Sequence, residues 1–371
     1  MLVGWGRAPR GWRWVVVGVG VGVLVALPVV VRGVPVPDEP VPAVGLLERV
    51  KASATVPYQG YVEARGRIGL PDVPRAGRVV ALLGETTRMR AWVAGPRWWR
   101  VDELTPVGER DLYRDRWGTW SWDSGERRAV ATGGEEAAVR FARPADLLPP
   151  ELGRRVAAAA EPGEVGRIAP RRVAGVEALG LRITPRSPDT TVARADLWVE
   201  PATGLPLQAE LTARGASDPI LASAFLDLRL QAPDPGLLRF SVPGDAEVQS
   251  DDSPDVARAI DRFSPFVLPD LLAGQPRRTQ VARAASTYGR GFDLVAALAF
   301  PARFTPRTRE FLGKVPTRTG PWGTASVVAT PLLNGMVFER DGVAYALAGT
   351  VTQPVLERAA AELARDGVGS R

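Results

Sequence analysis

The chain has 371 residues, 24% of them charged, and it contains neither His nor Cys. A histidine general base, a thiol nucleophile, a His/Cys zinc site and a disulfide framework are therefore excluded. The net charge of +6 rests on Arg, because only Lys51 and Lys314 are Lys. The arginines are scattered among carboxylates and are not clustered with aromatic residues, so we expect no nucleic-acid partner.

An uncharged apolar run, Trp14–Val31, follows Arg7, Arg10 and Arg13. A membrane-spanning helix needs roughly 20 apolar residues, with a lower limit of about 17. The positive-inside rule then places residues 1–13 in the cytoplasm and the body of the chain outside the cell membrane. The alternative is a cleaved signal peptide, but no small-residue A-x-A site follows the run. The sequence predicts a retained single-pass anchor at 14–31.

Residues 32–43 are rich in Pro and Val and predict an extended linker. Val44–Ser53 then has helical periodicity. About eleven strands follow, with two predicted helices between the sixth and the seventh, Gly134–Leu148 and Glu151–Ala160. Short spacings and tight turns favour one meandering antiparallel sheet over βαβ units. The predicted strands are Tyr58–Ile68, Val79–Leu83, Thr87–Val93, Trp98–Leu104, Arg110–Arg114, Thr119–Trp122, Val165–Val173, Val176–Thr184, Ala193–Glu200, Pro206–Arg214 and Ala222–Leu230.

Residues 246–278 are predicted to be a linker with one short helix, Pro254–Phe263, capped by Ser253. A smaller α+β unit follows at 279–371 and ends in an amphipathic helix, Gln353–Arg365. Its predicted strands are Phe292–Phe300, Thr324–Thr330, Met336–Arg340 and Val343–Thr350.

Motifs for nucleotide binding or for a serine nucleophile are missing from the sequence outside the apolar run. The adjacent acids Asp251 and Asp252 are interpreted as solvated linker charges. Glu135 and Glu136 are interpreted as charges that favour a helix N-terminus. We therefore expect a protein that is not an enzyme and that needs no metal or other cofactor.

Six of the eleven tryptophans lie between residues 92 and 122. Within one strand, Trp120 and Trp122 share a face. Two interpretations stay open: the indoles fill the core, or they line a cavity that an apolar ligand occupies. Under the second interpretation the candidate cavity residues are Trp92, Trp98, Trp120, Trp122, Leu181, Leu197 and Phe225.

Two stretches, Thr87–Val130 and Leu197–Pro243, resemble the LolA/RseB (MucB) family of bacterial envelope proteins. Glu200 replaces the family's Asp, and Trp122 stands where the family often has Tyr. A looser resemblance to the RseB-type C-terminal extension covers Gly335–Leu363. The matching positions are Pro96, Arg100, Asp115, Trp120, Asp123, Pro201, Thr203, Gly204, Pro206, Phe225 and Phe240.

This resemblance implies a mainly β (α+β) fold. Residues 44–245 would form a half-open antiparallel β-barrel whose helices, at Gly134–Ala160, act as a lid, and residues 279–371 an RseB-like domain. It implies a lipid-sensing regulator that binds an acyl chain and a membrane anti-sigma factor. The alternative is a LolA-like carrier of lipid or lipoprotein. A permanent anchor argues against the carrier, because a linker of about ten residues reaches at most about 35 Å.

Overall fold

The computed structural model describes residues 36–71, 77–134, 140, 142–250, 264–304, 315–367 and 369–370. Within these ranges, no helix has the length and apolar character needed to span a bilayer. Several predictions fall outside the described residues and are not addressed by the structure. They are the tail 1–13, the anchor Trp14–Val31, the acid pairs Glu135–Glu136 and Asp251–Asp252, and the helix Pro254–Phe263.

Twelve strands make up the first sheet, where about eleven were predicted. Their bounds are β1 Tyr58–Gly66, β2 Thr86–Gly95, β3 Trp98–Thr105, β4 Gly108–Arg114, β5 Gly118–Asp123, β6 Arg128–Gly133, β7 Val165–Val173, β8 Val176–Ile183, β9 Val192–Val199, β10 Pro206–Ala213, β11 Leu221–Arg229 and β12 Glu247–Ser250. The spatial order is β12-β6-β5-β4-β3-β2-β1-β11-β10-β9-β8-β7. All neighbours are antiparallel except β12, which joins β6 in parallel.

The first sheet is curled but open. Strands β7 and β11 contact each other although three strands separate them in the order, so the sheet bends back on itself. Among the described residues, the end strands β12 and β7 are not paired with each other, so the barrel does not close. The strands form where buried and more exposed side chains alternate along the sequence. In β2, the buried residues are Thr87, Met89, Ala91 and Val93, and the residues between them are more exposed.

Four helices lie in the described residues: α1 Ala43–Ala52, α2 Gly77–Gly84, α3 Pro149–Ala159 and α4 Gln353–Asp366. Helix α1 buries Leu46, Leu47 and Val50, as its periodicity predicted. Helix α3 lies across β10 and contacts α1, so the two helices cover one face of the curled sheet. The described part of the predicted helix Gly134–Leu148 contains only the 3-10 turn Pro144–Leu147.

The predicted strand Val79–Leu83 is wrong, because this segment is helix α2. A short run of apolar residues fits a buried strand and a helix equally well, and only its surroundings decide between them. Leu82 turns into the main core, and the end of α2 lies against β1 at Gly66. A Cβ at Gly66 would lie 2.2 Å from the Leu83 carbonyl oxygen, so this contact needs glycine. The unpredicted strands β6 and β12 account for the twelve observed.

The second unit is an eight-stranded sheet covered by α4, with its own hydrophobic core. Two short strands, Phe266–Val267 and Gly369–Ser370, pair with each other beside it. Helix α4 buries Leu356, Ala360 and Leu363, which confirms the predicted face. The strands are β13 Phe266–Val267, β14 Leu271–Leu272, β15 Gln275–Ala282, β16 Ala285–Tyr288, β17 Val295–Pro301, β18 Thr317–Gly320, β19 Gly323–Ala329, β20 Asn334–Arg340, β21 Val343–Gly349 and β22 Gly369–Ser370.

The predicted linker 246–278 is shorter at both ends. Its first residues form β12 of the first sheet, and the second unit begins by Ser264, whose hydroxyl donates to the Ala299 carbonyl at 3.0 Å. The two units also meet directly. The Thr190 hydroxyl donates to the Thr350 carbonyl at 2.9 Å, and the Thr191 hydroxyl donates to the Leu332 carbonyl at 2.6 Å.

Candidate functional site

Strand register assigns every side chain of β2 to β5 to one of two faces. Trp92, Arg100, Tyr113 and Trp120 are consecutive cross-strand partners, so they form one row on one face. The opposite face carries Ala91 and Val101, which belong to the main core under α1 and α3. We call the core side the concave face and the other side the outer face.

The seven predicted cavity residues do not line one surface. Leu181, Leu197 and Phe225 are on the concave face, and their exposed fractions of 0%, 0% and 1% place them in the packed core under the helices. Trp92, Trp120 and Trp122 are on the outer face, where Trp122 stands opposite Asp111. Trp98 is 45% exposed at the start of β3. Alternation correctly placed Trp120 and Trp122 together, but it does not tell which face is concave.

The outer-face indoles pack under the chain that leads to the second unit. The Phe240 ring centroid lies 5.1 Å from that of Tyr113, 5.1 Å from that of Trp120 and 6.4 Å from that of Trp122. Just before it, the 3-10 turn Pro235–Leu238 lies against β3. Trp120 and Trp122 therefore bind a segment of their own chain, and we call residues 234–250 the strap.

Arg100 is the centre of a buried ion network on the outer face. Its guanidinium donates to both Asp102 carboxylate oxygens, at 2.6 and 2.7 Å, and lies 3.4 Å from Asp111 Oδ2. The same guanidinium stacks 5.0 Å from the Trp92 ring and 4.8 Å from the Tyr113 ring. Stacking and bidentate pairing are both properties of Arg that Lys does not share.

Burial is the largest influence on the two carboxyl groups of this network. It raises the pKa of Asp102, against the opposing effect of the hydrogen bonds from Arg100. Burial, followed by the charge of Asp102, raises the pKa of Asp111 to about 7, while Arg100 opposes the shift. Asp111 Oδ1 is buried without a hydrogen-bond partner.

Asp102, Glu109 and Asp111 each place one carboxylate oxygen within 4.8 Å of the others, a spacing that a metal ion would accept. Arg100 neutralises the first and third acids, and Arg90 approaches Glu109 at 3.5 Å. The two guanidinium groups already compensate most of the charge a cation would meet. We interpret the group as part of the ion network.

The concave face of β3 to β6 carries half-buried apolar side chains. Trp99, Leu112 and Val130 lie there, with Ser121 between the last two in the register. Helices α1 and α3 contact β7, β8, β10 and β11, on the other half of the sheet. At the β3 edge, the 3-10 turn Pro144–Leu147 lies against the strand, and the Arg143 guanidinium lies 5.8 Å from the Trp99 ring. We call Trp99, Leu112, Ser121 and Val130 the concave shelf.

Charged residues border the concave shelf at both ends. At one end Arg114 donates to the Thr119 hydroxyl at 3.1 Å and to the Gly134 carbonyl at 3.2 Å. At the other end Arg110 donates to Asp123 at 2.8 Å. The shelf crosses the four strands β3 to β6, and three inter-strand spacings span about 15 Å, enough to support part of an acyl chain. The shelf offers apolar contact and no catalytic group.

Sequence reasoning did not single out the concave shelf. Leu112 lies in a strand of mostly charged residues, and Val130 lies between two alanines in a short strand, so neither forms a recognisable apolar pattern. The signal that would have found them is register: once Val101 is assigned to the core, its cross-strand partners share that face.

The sequence matches no protein-family model and no curated relative. Among solved structures it is similar to a chain of the Pseudomonas aeruginosa MucA/MucB complex, at 18% identity and a TM-score of 0.48, covering 86% of this chain and 96% of that one. MucB in complex with MucA(peri) is similar at 17% identity and a TM-score of 0.46, covering 86% and 97%. A LolA superfamily protein from Nitrosomonas europaea is similar at 13% identity and a TM-score of 0.25, covering 54% and 98%.

These are the protein types that the sequence motifs resemble. Identities below 20% and TM-scores below 0.5 leave the function to be argued from the residues of this chain.

Proposed function

We propose that this chain is an extracytoplasmic sensor, tethered to the cell membrane by Trp14–Val31, that binds an acyl chain on the concave shelf. The observation that supports the ligand is the placement of Trp99, Leu112 and Val130. They are half-buried apolar side chains on the concave side of a curled, open sheet, beyond the strands that α1 and α3 contact. Mouths and interiors of such sheets are common sites for apolar ligands.

Apolar burial supplies the binding free energy in this proposal. Each methylene moved from water to the shelf contributes about 0.8 kcal/mol. Ten methylenes contribute at most about 8 kcal/mol before the cost of immobilising the ligand. Binding at micromolar concentrations needs about 8 kcal/mol in total. An acyl chain therefore needs more than ten buried methylenes, because the cost of immobilisation is subtracted from this gain.

The second half of the proposal concerns the partner. The resemblance of Gly335–Leu363 to the RseB-type extension suggests a membrane anti-sigma factor, and MucB, to which this chain is similar, has been solved with MucA. The threonine contacts between the two units offer a route from ligand to partner. A ligand that binds two arrangements of the units with different affinity shifts their populations.

The ligand is tested with the full chain purified in detergent. Native mass spectrometry and lipid extraction should recover an acyl lipid, and a fluorescent fatty acid should bind and be displaced by it. Leu112→Glu places a charge on the shelf and should lower fatty-acid affinity at least tenfold. Leu226→Glu, at a side chain 55% exposed on β11, should leave the affinity unchanged.

A second variant separates a loss of binding from a loss of folding. Ser121→Trp fills the shelf without adding charge and should also weaken binding, while far-UV circular dichroism reports the fold. If the purified protein carries no lipid and does not bind the fluorescent fatty acid, the proposed acyl ligand is rejected. Lipid binding without capture of any membrane protein rejects the regulator and favours the carrier alternative.

A further inference from the structure

Two turns lie side by side at one end of the first sheet. One joins β2 to β3 through residues 95–98, and the other joins β4 to β5 through residues 115–118. They are neighbours because β3 and β4 are paired up to Trp99 and Arg114, the residues next to the turns. Each turn carries an exposed indole: Trp98 is 45% exposed and Trp117 is 71% exposed.

The second turn holds its indole outward by its own hydrogen bonds. Asp115 Oδ1 accepts from the backbone N–H of Trp117 at 2.7 Å and from that of Gly118 at 3.0 Å. The Asp115 N–H in turn donates to the Gly118 carbonyl at 3.1 Å. This Asx turn fixes the backbone on both sides of Trp117. The Arg116 guanidinium lies 4.7 Å from the Trp117 ring.

We propose that these two turns form a membrane-docking tip, which places Trp98 and Trp117 at the headgroup level of the bilayer. Indoles favour this depth because one part of the ring is apolar and the N–H stays hydrated. Arg97 and Arg116 are exposed in the turns, and the Asp115 carboxylate, which is hydrogen-bonded within its own turn, offsets one of these two positive charges. A cation near an anionic membrane surface is attracted to it.

The size of the patch favours a lipid surface over a protein partner. An aromatic side chain buries about 150–250 Å², so two indoles cover at most about 500 Å². A specific protein interface needs about 800 Å² from each partner. Binding to a bilayer needs no complementary surface of this area. This inference goes beyond the proposed function, because docking requires no ligand on the concave shelf.

The lack of Cys in the chain allows a direct test with the full-length protein in vesicles. Ala94→Cys, an exposed position at the end of β2, carries an environment-sensitive fluorophore beside the tip. Val107→Cys, 81% exposed at the turn from β3 to β4, carries it at the opposite end of the same strands. The vesicles contain phosphatidylcholine, with or without phosphatidylglycerol, and brominated phosphatidylcholine serves as the quencher.

The label at position 94 should show blue-shifted emission and quenching by the brominated lipid, more strongly with phosphatidylglycerol. The label at position 107 should show neither. Trp98→Ser with Trp117→Ser should abolish the shift at position 94, with an unchanged melting temperature as the check on folding. Equal emission at the two positions overturns the proposal. Shielding at position 94 that rises with protein concentration and is not quenched by brominated lipid also overturns it, in favour of contact between copies of the chain.

Discussion

Asp102 and Asp111 stand directly opposite each other on β3 and β4 and share one guanidinium, that of Arg100. Like charges in directly opposed strand positions destabilise a sheet. Here both acids are also buried, at 1% and 7% exposure. The network therefore depends on one Arg, and the neighbouring charge of Asp102 contributes to the raised pKa of Asp111.

Asp111 should make the stability of the first sheet depend on pH. Its pKa is raised to about 7 from the ordinary value of 3.8, so the folded state keeps a proton that the unfolded state releases. The free energy of unfolding should then fall as the pH rises from about 4 to about 7, and stay level above that. Asp111→Asn should flatten this dependence and stabilise the protein by about 1 kcal/mol at alkaline pH. Urea unfolding of the two proteins at about pH 5 and about pH 8 measures the pH dependence and the effect of the substitution. If the variant keeps the same pH dependence, Asp111 is not its source.

Removing Arg100 should be far more damaging than removing a surface arginine. Arg100→Ala leaves the buried Asp102 carboxyl without its bidentate partner, which costs about 3–5 kcal/mol. The control is Arg90→Ala, since Arg90 is 49% exposed and its pair with Glu109 is 3.5 Å long; we expect less than about 0.5 kcal/mol. Thermal unfolding compares the two, and equal losses would mean that the network contributes no more than a surface pair.

Phe240 should hold the strap on the outer face. Phe240→Ala removes the ring that contacts Tyr113, Trp120 and Trp122, and should cost about 2–3 kcal/mol because the ring is half-buried. Water should then reach the indoles and shift tryptophan emission to the red. Leu237→Ala, at a side chain 40% exposed in the same strap, is the control and should change neither reading. A stable variant with unshifted emission would show that the strap does not depend on this ring.

Thr191 should couple the two units. Thr191→Val removes the hydroxyl that donates to the Leu332 carbonyl at 2.6 Å and should cost about 1 kcal/mol. The loss should lower the cooperativity of unfolding between the two units. Calorimetry should then show a broader thermal unfolding transition, or two separate ones. Thr279→Val, at an exposed position of β15, is the matched control. An unchanged single transition in Thr191→Val would place the coupling elsewhere.

Strand alternation and helical periodicity predicted much of the fold. Most strands of the first sheet and the buried faces of α1 and α4 follow from residue spacing within one element. Helix α2 did not follow, because the run Val79–Leu83 carries no period long enough to distinguish helix from strand. Strand β6 was missed because its residues are small or polar, and β12 because all four of its residues are exposed and show no alternation.

The sequence by itself determined which side chains share a face, such as Trp120 with Trp122, because the period of a strand is a local property. It also excluded His- and Cys-based chemistry. Only the tertiary structure decided which face is concave, that Phe240 covers the indoles, and that Trp98 and Trp117 lie on neighbouring turns. Those facts depend on packing between segments far apart in the chain, and residue spacing carries no information about which distant segment will cover a face.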